Sequence, residues 1–379
     1  MPGLFAVKGG AVSSKTDPVI KLGYRPDLLN PNLSRWLDHF RWLSALMVAA
    51  SHLRNMLMPD ALHLGPSAAV FYFFTLFAEQ AVVVFFVLSG LLVGGVIVRG
   101  AREGRFAPAK YAVDRASRLY VALVPALVLS VVLQWTVGAV SCPEPDDVLR
   151  IAGNLAFVQN FGGTPPCNNS SLWSLSSEGY FYVVGPLMIL AGLVRKPLII
   201  AIALLALVPG VLALAPSRVT PLFGLGLWLC GLAPWFVHIR LRGWIAALPL
   251  VAVLMLSRLH WFPGAMIEEA SIGVAFALLL ASDLVQVRAP AGRLAVGLAS
   301  FSYSLYLVQM PIAQAFGQLW GYQALPSDRP GSYASYMLGL SIIVATAWLF
   351  GRLFEARTVW VRTRLMQLLG LSSAKSLPA

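Results

Sequence analysis

Charged side chains are what this sequence has least of. Asp, Glu, Lys and Arg make up 12% of its 379 residues, against roughly 25% in an ordinary soluble chain. That shortage excludes a soluble globular domain. Blocks of about ten residues with alternating polarity are also missing, which excludes an outer-membrane barrel. The first 36 residues contain Lys, Asp, Asn and Pro but no apolar core, so they are not a secretory signal. No internal repeat and no second soluble domain can be traced. Cysteine is sparse, at three residues. Cys230 falls in an apolar run and reads as a small packed hydrophobe. Cys142 and Cys167 flank a long loop, and whether they bridge is left open by sequence, which does not give their Cα separation.

What is present is apolar length. Hydrophobic residues supply 58% of the chain, and mean hydropathy is +0.75. They come in blocks of about 17 to 25, enough to cross ~30 Å of hydrocarbon at ~1.5 Å per residue. The fold class expected is therefore all-α: a polytopic transmembrane helical bundle of about ten spans. They lie near 37–57, 79–98, 119–138, 176–194, 197–214, 221–238, 243–259, 265–285, 295–316 and 333–353. The stretch 66–78 reads as an interfacial or re-entrant helix leading into the second span. Residues 1–36 form an N-terminal segment, 37–357 the membrane domain and 358–379 a tail.

The formal net charge is +12. Lys and Arg collect before residue 42, in 99–118, in short turns at Arg195-Lys196, Arg240-Arg242 and Arg288-Arg293, and after Gly351. The connections 139–170, 215–221, 257–264 and 321–331 are poor in them. This alternation is the positive-inside pattern and puts both termini in the cytoplasm. The basicity thus reports topology and an anionic cytosolic ligand, with no nucleic acid among the expected partners.

Ionisable groups inside apolar spans are costly and mark candidate sites. In FRWLSALMVAASHLRN, Arg41 and His52 are eleven residues apart. They share a helix face at an offset of about 20°, with about 16 Å between them along the axis. Taken alone, Arg41 also reads as snorkelling and His52 as hydrogen-bonding within the bundle. Gly90 and Gly94 share one face of the second span, with Ser89 and Gly95 at its flanks; helix packing explains them as well as ligand approach does. Glu79 and Gln80 open that span on the side towards His52. Arg115 and Arg118 share a face at the start of the third span, where Asp114 is spaced to orient Arg118. Two such arginines suit phosphate, though positive-inside anchoring explains them too. In SLWSLSSEGYFY, Glu178 sits at the outward mouth of the fourth span, as proton acceptor, hydroxyl holder or ordinary helix-start acid. Glu268, Glu269 and His260 open the eighth span as interfacial or acceptor-contacting groups.

Arg-ten-His, FFVLSG, RxxRLY and SLWSLSSEGYFY, followed by FSYSLYLVQMPI (301–312) and LFEARTVW (353–360), occur in this order. Together they resemble the acyltransferase family 3 membrane proteins over about residues 35 to 360. The resemblance implies a multi-pass enzyme of a bacterial inner membrane, a transferase of acyl groups other than amino-acyl. Its donor would be cytosolic acyl-CoA, commonly acetyl-CoA, with no permanently bound cofactor and no metal. Its acceptor would be a carbohydrate hydroxyl, as in O-antigen or exopolysaccharide. Carried over, His52 and Glu178 are the catalytic candidates. Arg41, Arg115 and Arg118 are the acyl-CoA-binding ones, and Glu79, Ser89 and Trp173 contact or orient the acceptor. Three positions depart from the family pattern. Glu178 is followed by Gly179, Glu355-Ala356-Arg357 lacks the usual proline, and Gln309 replaces a histidine, so no second base is expected there. A transporter or flippase is the competing reading, since it too would hold polar groups at mid-membrane.

Overall fold

The computed structural model describes residues 20–58, 66–138, 146, 148–213, 220–284, 287–290, 292–320 and 330–371. Cys142 lies outside them. Cys167 is disulfide-bonded, and its backbone N–H donates to the Asp146 carboxylate at 3.0 Å. Cys230 is a free thiol.

The chain is almost wholly helical. Its helices are α1 (Pro31–Leu57), α2 (Pro66–Thr75), α3 (Ala78–Ser89), α4 (Gly95–Arg102), α5 (Pro108–Thr136), α6 (Val148–Leu155), α7 (Trp173–Val194), α8 (Pro197–Leu212), α9 (Pro221–Cys230), α10 (Gly243–Arg258), α11 (Ala265–Ala281), α12 (Gly292–Ala299), α13 (Ser302–Leu319), α14 (Pro330–Leu353) and α15 (Thr358–Leu368). Among the described residues, four helical stretches are long and apolar enough to cross a membrane: Ala68–Arg102, Pro108–Thr136, Cys167–Val194 and Gly331–Leu368. The pair α12 and α13, bent by 53°, adds a fifth if counted as one span. Shorter apolar helices cover Pro197–Leu212, Pro221–Trp235 and Trp244–Arg258.

Helix α1 begins before its apolar run because Asn30 caps it. The Asn30 side chain accepts from the backbone N–H groups of Asn32 and Leu33 at 3.0 and 2.9 Å, while Pro31 fits the first helical turn, where no N–H partner is needed. From there α1 runs through the middle of the bundle, packed against α3, α12, α13 and α14. Its buried Ala45, Val48, Ala49 and Leu53 join α5, α7 and α13 in one apolar core.

The glycines of FFVLSGLLVGG allow close crossing. Between α3 and α4 the helix widens into a π turn at Gly90–Gly94. A Cβ on Gly90 would collide with the Trp228 carbonyl, and one on Gly231 with the Val87 carbonyl. The two backbones therefore touch at these glycines. Trp228 Nε1 donates to Ser89 Oγ at 3.1 Å, and Trp235 Nε1 to the Leu91 carbonyl at 2.8 Å.

The all-α expectation omits one small element. Strands β1 (Ile20–Leu22), β2 (Val237–Arg242) and β3 (Ser282–Asp283) form a sheet in the order β1-β2-β3. The β1–β2 pair is antiparallel and the β2–β3 pair parallel. The stretch 221–238, read as one span, is thus helix only to Cys230. It then passes through a short 3-10 turn at Ala233–Trp235 into β2, with Pro234 unable to supply a helical N–H. Arg25 ties the sheet down by donating to the Pro234, Val237 and Ala281 carbonyls at 3.3 to 3.4 Å. Arg102 at the end of α4 lies over Tyr24, 4.7 Å from the ring centre. This marks one end of the bundle, the sheet end.

Candidate active site

Two cavities lie in series between α1, α3, α7 and α13. The first, of about 330 Å³, is the one nearer the sheet end and holds Arg41, Arg115, Arg118, Glu178, Tyr182 and Ser89 in its wall. Its arginines are not equivalent. Arg118 is already paired: its guanidinium donates to Glu355 at 3.2 Å. The other Glu355 oxygen accepts from the Ser304 backbone N–H at 3.0 Å and from the Ser304 hydroxyl at 2.7 Å. Arg115 has no acidic partner among the described residues. It lies between the rings of Tyr111 and Tyr182, at 5.9 and 5.7 Å, and its Nε is buried without a hydrogen bond. Arg41 is 3.8 Å from Asp38. Asp114, spaced in sequence to orient Arg118, pairs instead with Arg362 at 3.5 Å. Glu355 wins Arg118 because its side chain is 5% exposed against 31% for Asp114, and charge attraction grows as water is excluded.

Glu178 lies among these arginines, with Tyr182 donating a hydrogen bond to it. The sequence reading puts it at the opposite, outward mouth. The difference comes from the polar run before it. Asn168, Asn169, Ser171, Ser174, Ser176 and Ser177 are buried inside the bundle, so α7 starts deep and carries Glu178 towards the sheet end. Glu178 and His52 consequently line different cavities.

The second cavity, of about 290 Å³, is lined by His52, Glu79, Ser171, Trp173, Glu269 and Tyr306, with apolar residues between. Val82, Phe86 and Tyr306 belong to the walls of both cavities. Arg41 and His52, on one face of α1, therefore open into successive compartments with that apolar boundary between them. Ser89 lines the arginine side, whereas Glu79 and Trp173 line the histidine side.

Around His52 the polar contacts are ordered. His52 Nδ1 is 3.1 Å from Gln309 Oε1. Gln309 Nε2 donates to Ser171 Oγ at 3.2 Å, and Ser171 Oγ donates to Asn169 Oδ1 at 2.8 Å. Tyr306 donates to the Ser171 carbonyl at 2.8 Å and lies 2.6 Å from Ser174 Oγ. At the rim, Glu268 accepts from Gln80 at 2.7 Å and Ser257 at 2.6 Å, while its neighbour Glu269 turns into the cavity wall.

Sequence reasoning notes Gln309 and Glu355 only as departures from the family pattern, gives neither a role, and passes over Asn169; all three are fully or largely buried. Gln309 and Asn169 are uncharged amides and do not stand out from an apolar run as arginine does. Arg54, two residues past His52, is also buried, donates to the Thr75 carbonyl at 3.2 Å and covers the Tyr72 ring. Its chargedness was the available signal. Among the described residues no group of three or more His, Cys, Asp or Glu side chains could hold a metal ion.

The family model described as an acyltransferase domain, Acyl_transf_3, matches residues 34–352. That span contains every residue that lines the two cavities; Glu355, which anchors Arg118, lies just beyond it. No curated protein and no solved structure matches the chain.

Proposed function

The chain belongs to acyltransferase family 3, and from that premise we propose that it moves an acyl group, acetyl in the simplest case, from cytosolic acyl-CoA to a carbohydrate hydroxyl. The acceptor is extracytoplasmic or lipid-linked, such as O-antigen or exopolysaccharide, and the setting is a bacterial inner membrane. The observation that carries this reading is the pair of adjoining cavities. One is lined by three arginines and one by a histidine with two carboxylates, and they meet at Val82, Phe86 and Tyr306.

The chemistry follows from that order. Phosphates of the donor bind at Arg115 and Arg41, with Arg118 held in place by Glu355. The pantetheine arm passes the apolar boundary and brings the thioester to His52. Neutral His52 takes the proton of the acceptor hydroxyl, whose oxygen attacks the thioester carbonyl. Collapse of the tetrahedral adduct breaks the C–S bond, and the leaving thiolate recovers a proton from the imidazolium. An acyl-histidine formed first and then passed to the hydroxyl balances equally well. Trp173 offers a flat apolar face to a sugar ring, and Glu79 and Glu269 accept from its hydroxyls. Glu178 offsets part of the arginine charge at the donor end. The Lys and Arg distribution supports about ten spans, a cytoplasmic sheet end and both termini on that side.

Mass spectrometry of surface glycans tests this in a deletion strain. Loss of an acyl mass increment, restored by the wild-type gene and not by His52→Ala, is the expected result. An unchanged glycan after deletion would overturn it.

A further inference from the structure

We propose that Gln309, held by Ser171 and Asn169, is a positioning residue that fixes His52 as its Nδ1-protonated tautomer and leaves Nε2 as the basic nitrogen. The proposal rests on the reading of His52 as the base. It is carried by the direction of the hydrogens in one buried chain.

That direction starts at a backbone carbonyl, which can only accept. Pro311 interrupts α13 without ending it. Having no N–H, it withholds the helical bond that the Leu307 carbonyl, four residues earlier, would otherwise receive. Asn169 Nδ2 donates to this carbonyl at 2.9 Å, and so the Asn169 oxygen is the atom turned to Ser171. Ser171 has one hydroxyl proton and spends it on Asn169 Oδ1 at 2.8 Å. Towards Gln309 it can only accept, which requires the Gln309 NH₂ to point at it, as it does at 3.2 Å. Gln309 Oε1 is then the atom facing His52 Nδ1 at 3.1 Å. An amide oxygen cannot donate, so Nδ1 carries the proton. In a neutral imidazole the lone pair is left on Nε2.

Behind the half-buried His52, the members of the chain are sealed. Gln309, Asn169 and Leu307 are 0% exposed and Ser171 is 3% exposed, so water does not compete for these bonds. Nε2 makes no hydrogen bond to any described residue, and His52 lines the cavity of Glu79, Trp173 and Glu269. Where the family pattern carries a histidine, this chain carries an amide. A histidine there could donate or accept and would change with pH; the amide cannot titrate, so the direction of the chain does not depend on pH.

Histidine nitrogen NMR of the full chain in nanodiscs reads the tautomer directly. The chain has five histidines, and the His52 signals are the ones missing from His52→Gln. The expected spectrum of the wild type has protonated, pyrrole-type nitrogen at Nδ1 and pyridine-type nitrogen at Nε2. A proton on Nε2 in the wild type would overturn the proposal without any variant being made. Gln309→Glu keeps an acceptor oxygen towards Nδ1, with its protonated oxygen donating to Ser171 in place of the amide NH₂, and should retain the Nδ1-protonated form. Gln309→Leu should lose it, and with it roughly 100-fold in kcat, while KM for acyl-CoA stays unchanged. A Gln309→Leu protein that keeps both the tautomer and kcat contradicts the assignment. If the wild type transfers no acyl group, the functional reading fails while the spectrum still decides the tautomer.

Discussion

Arg118 and Arg115 stand three residues apart on α5 and look interchangeable in sequence, yet their surroundings give them different consequences when removed. Glu355 is buried and bonded to both Arg118 and Ser304. Glu355→Ala leaves the Arg118 guanidinium without its ion-pair partner, beside the other two arginines of the cavity wall. Breaking a buried pair from one side costs ~3–5 kcal/mol, and because the Arg118 side chain is 34% exposed the lower end of that range is expected, as a lowered melting temperature in detergent. Arg115 makes no direct ion pair among the described residues, and Glu178, which shares its cavity, keeps Tyr182 and the other two arginines when Arg115 is removed. Arg115→Ala should leave the melting temperature nearly unchanged and raise KM for acyl-CoA about 10-fold or more, the loss of one charge-assisted hydrogen bond. His52→Ala should do the reverse, sparing KM and removing at least ~100-fold of kcat. Melting temperature and steady-state kinetics on purified protein together separate the three. The arginines and His52 were legible because charge in hydrocarbon stands out against its neighbours. Glu178 was legible as a residue and misread as a location, since the buried polar run ahead of it looks in sequence like a water-exposed mouth. Gln309 was legible only as a departure from the family pattern, not as a partner of His52, and Asn169 was not legible at all: an uncharged amide gains a role only when the proline-freed carbonyl and the imidazole are seen around it.

At the scale of elements, the crossing of the π turn and the end of α9 shows how a small-residue face acquires meaning from its partner. Gly90 and Gly231 each stand where a side chain would strike the opposite backbone. Gly90→Ala or Gly231→Ala should cost ~1–3 kcal/mol or more, because backbone cannot rotate away as a side chain can. Gly226, on α9 itself, has nothing within 4 Å of where its Cβ would be. Gly226→Ala should be neutral or mildly stabilising, as alanine favours helix over glycine by about 1 kcal/mol. Thermal denaturation of the three variants checks the contrast, and equal losses in all three would contradict it. Gly90 and Gly94 of FFVLSGLLVGG were recognisable as a packing surface from their four-residue spacing. Their partner was not, because the segment carrying Gly231 read as a continuous span. Pro234 and the β-sheet pairing across distant residues break it there, and a pairing of residues 20–22 with 237–239 leaves no local signal in either stretch.

For the molecule as a whole, apolar blocks carried most of what could be anticipated: a predominantly helical membrane bundle. Side-chain chemistry along the path between the ends came only with the fold, because it depends on which helices meet. The orientation itself has a test. Glu103→Cys at the sheet end should react with an impermeant thiol reagent only from the cytosolic side, and Trp261→Cys at the far end only from outside. The opposite labelling would put the arginine cavity on the side where acyl-CoA is absent and defeat the proposed path. The most direct measurement is transfer itself, in inside-out membrane vesicles supplied with acetyl-CoA labelled in its acetyl group. The account predicts that label passes to alkali-labile ester on a glycan with the wild-type protein and not with His52→Ala made to the same level and equally stable. Glycan label that persists in His52→Ala, or that never forms with the wild type, would contradict it.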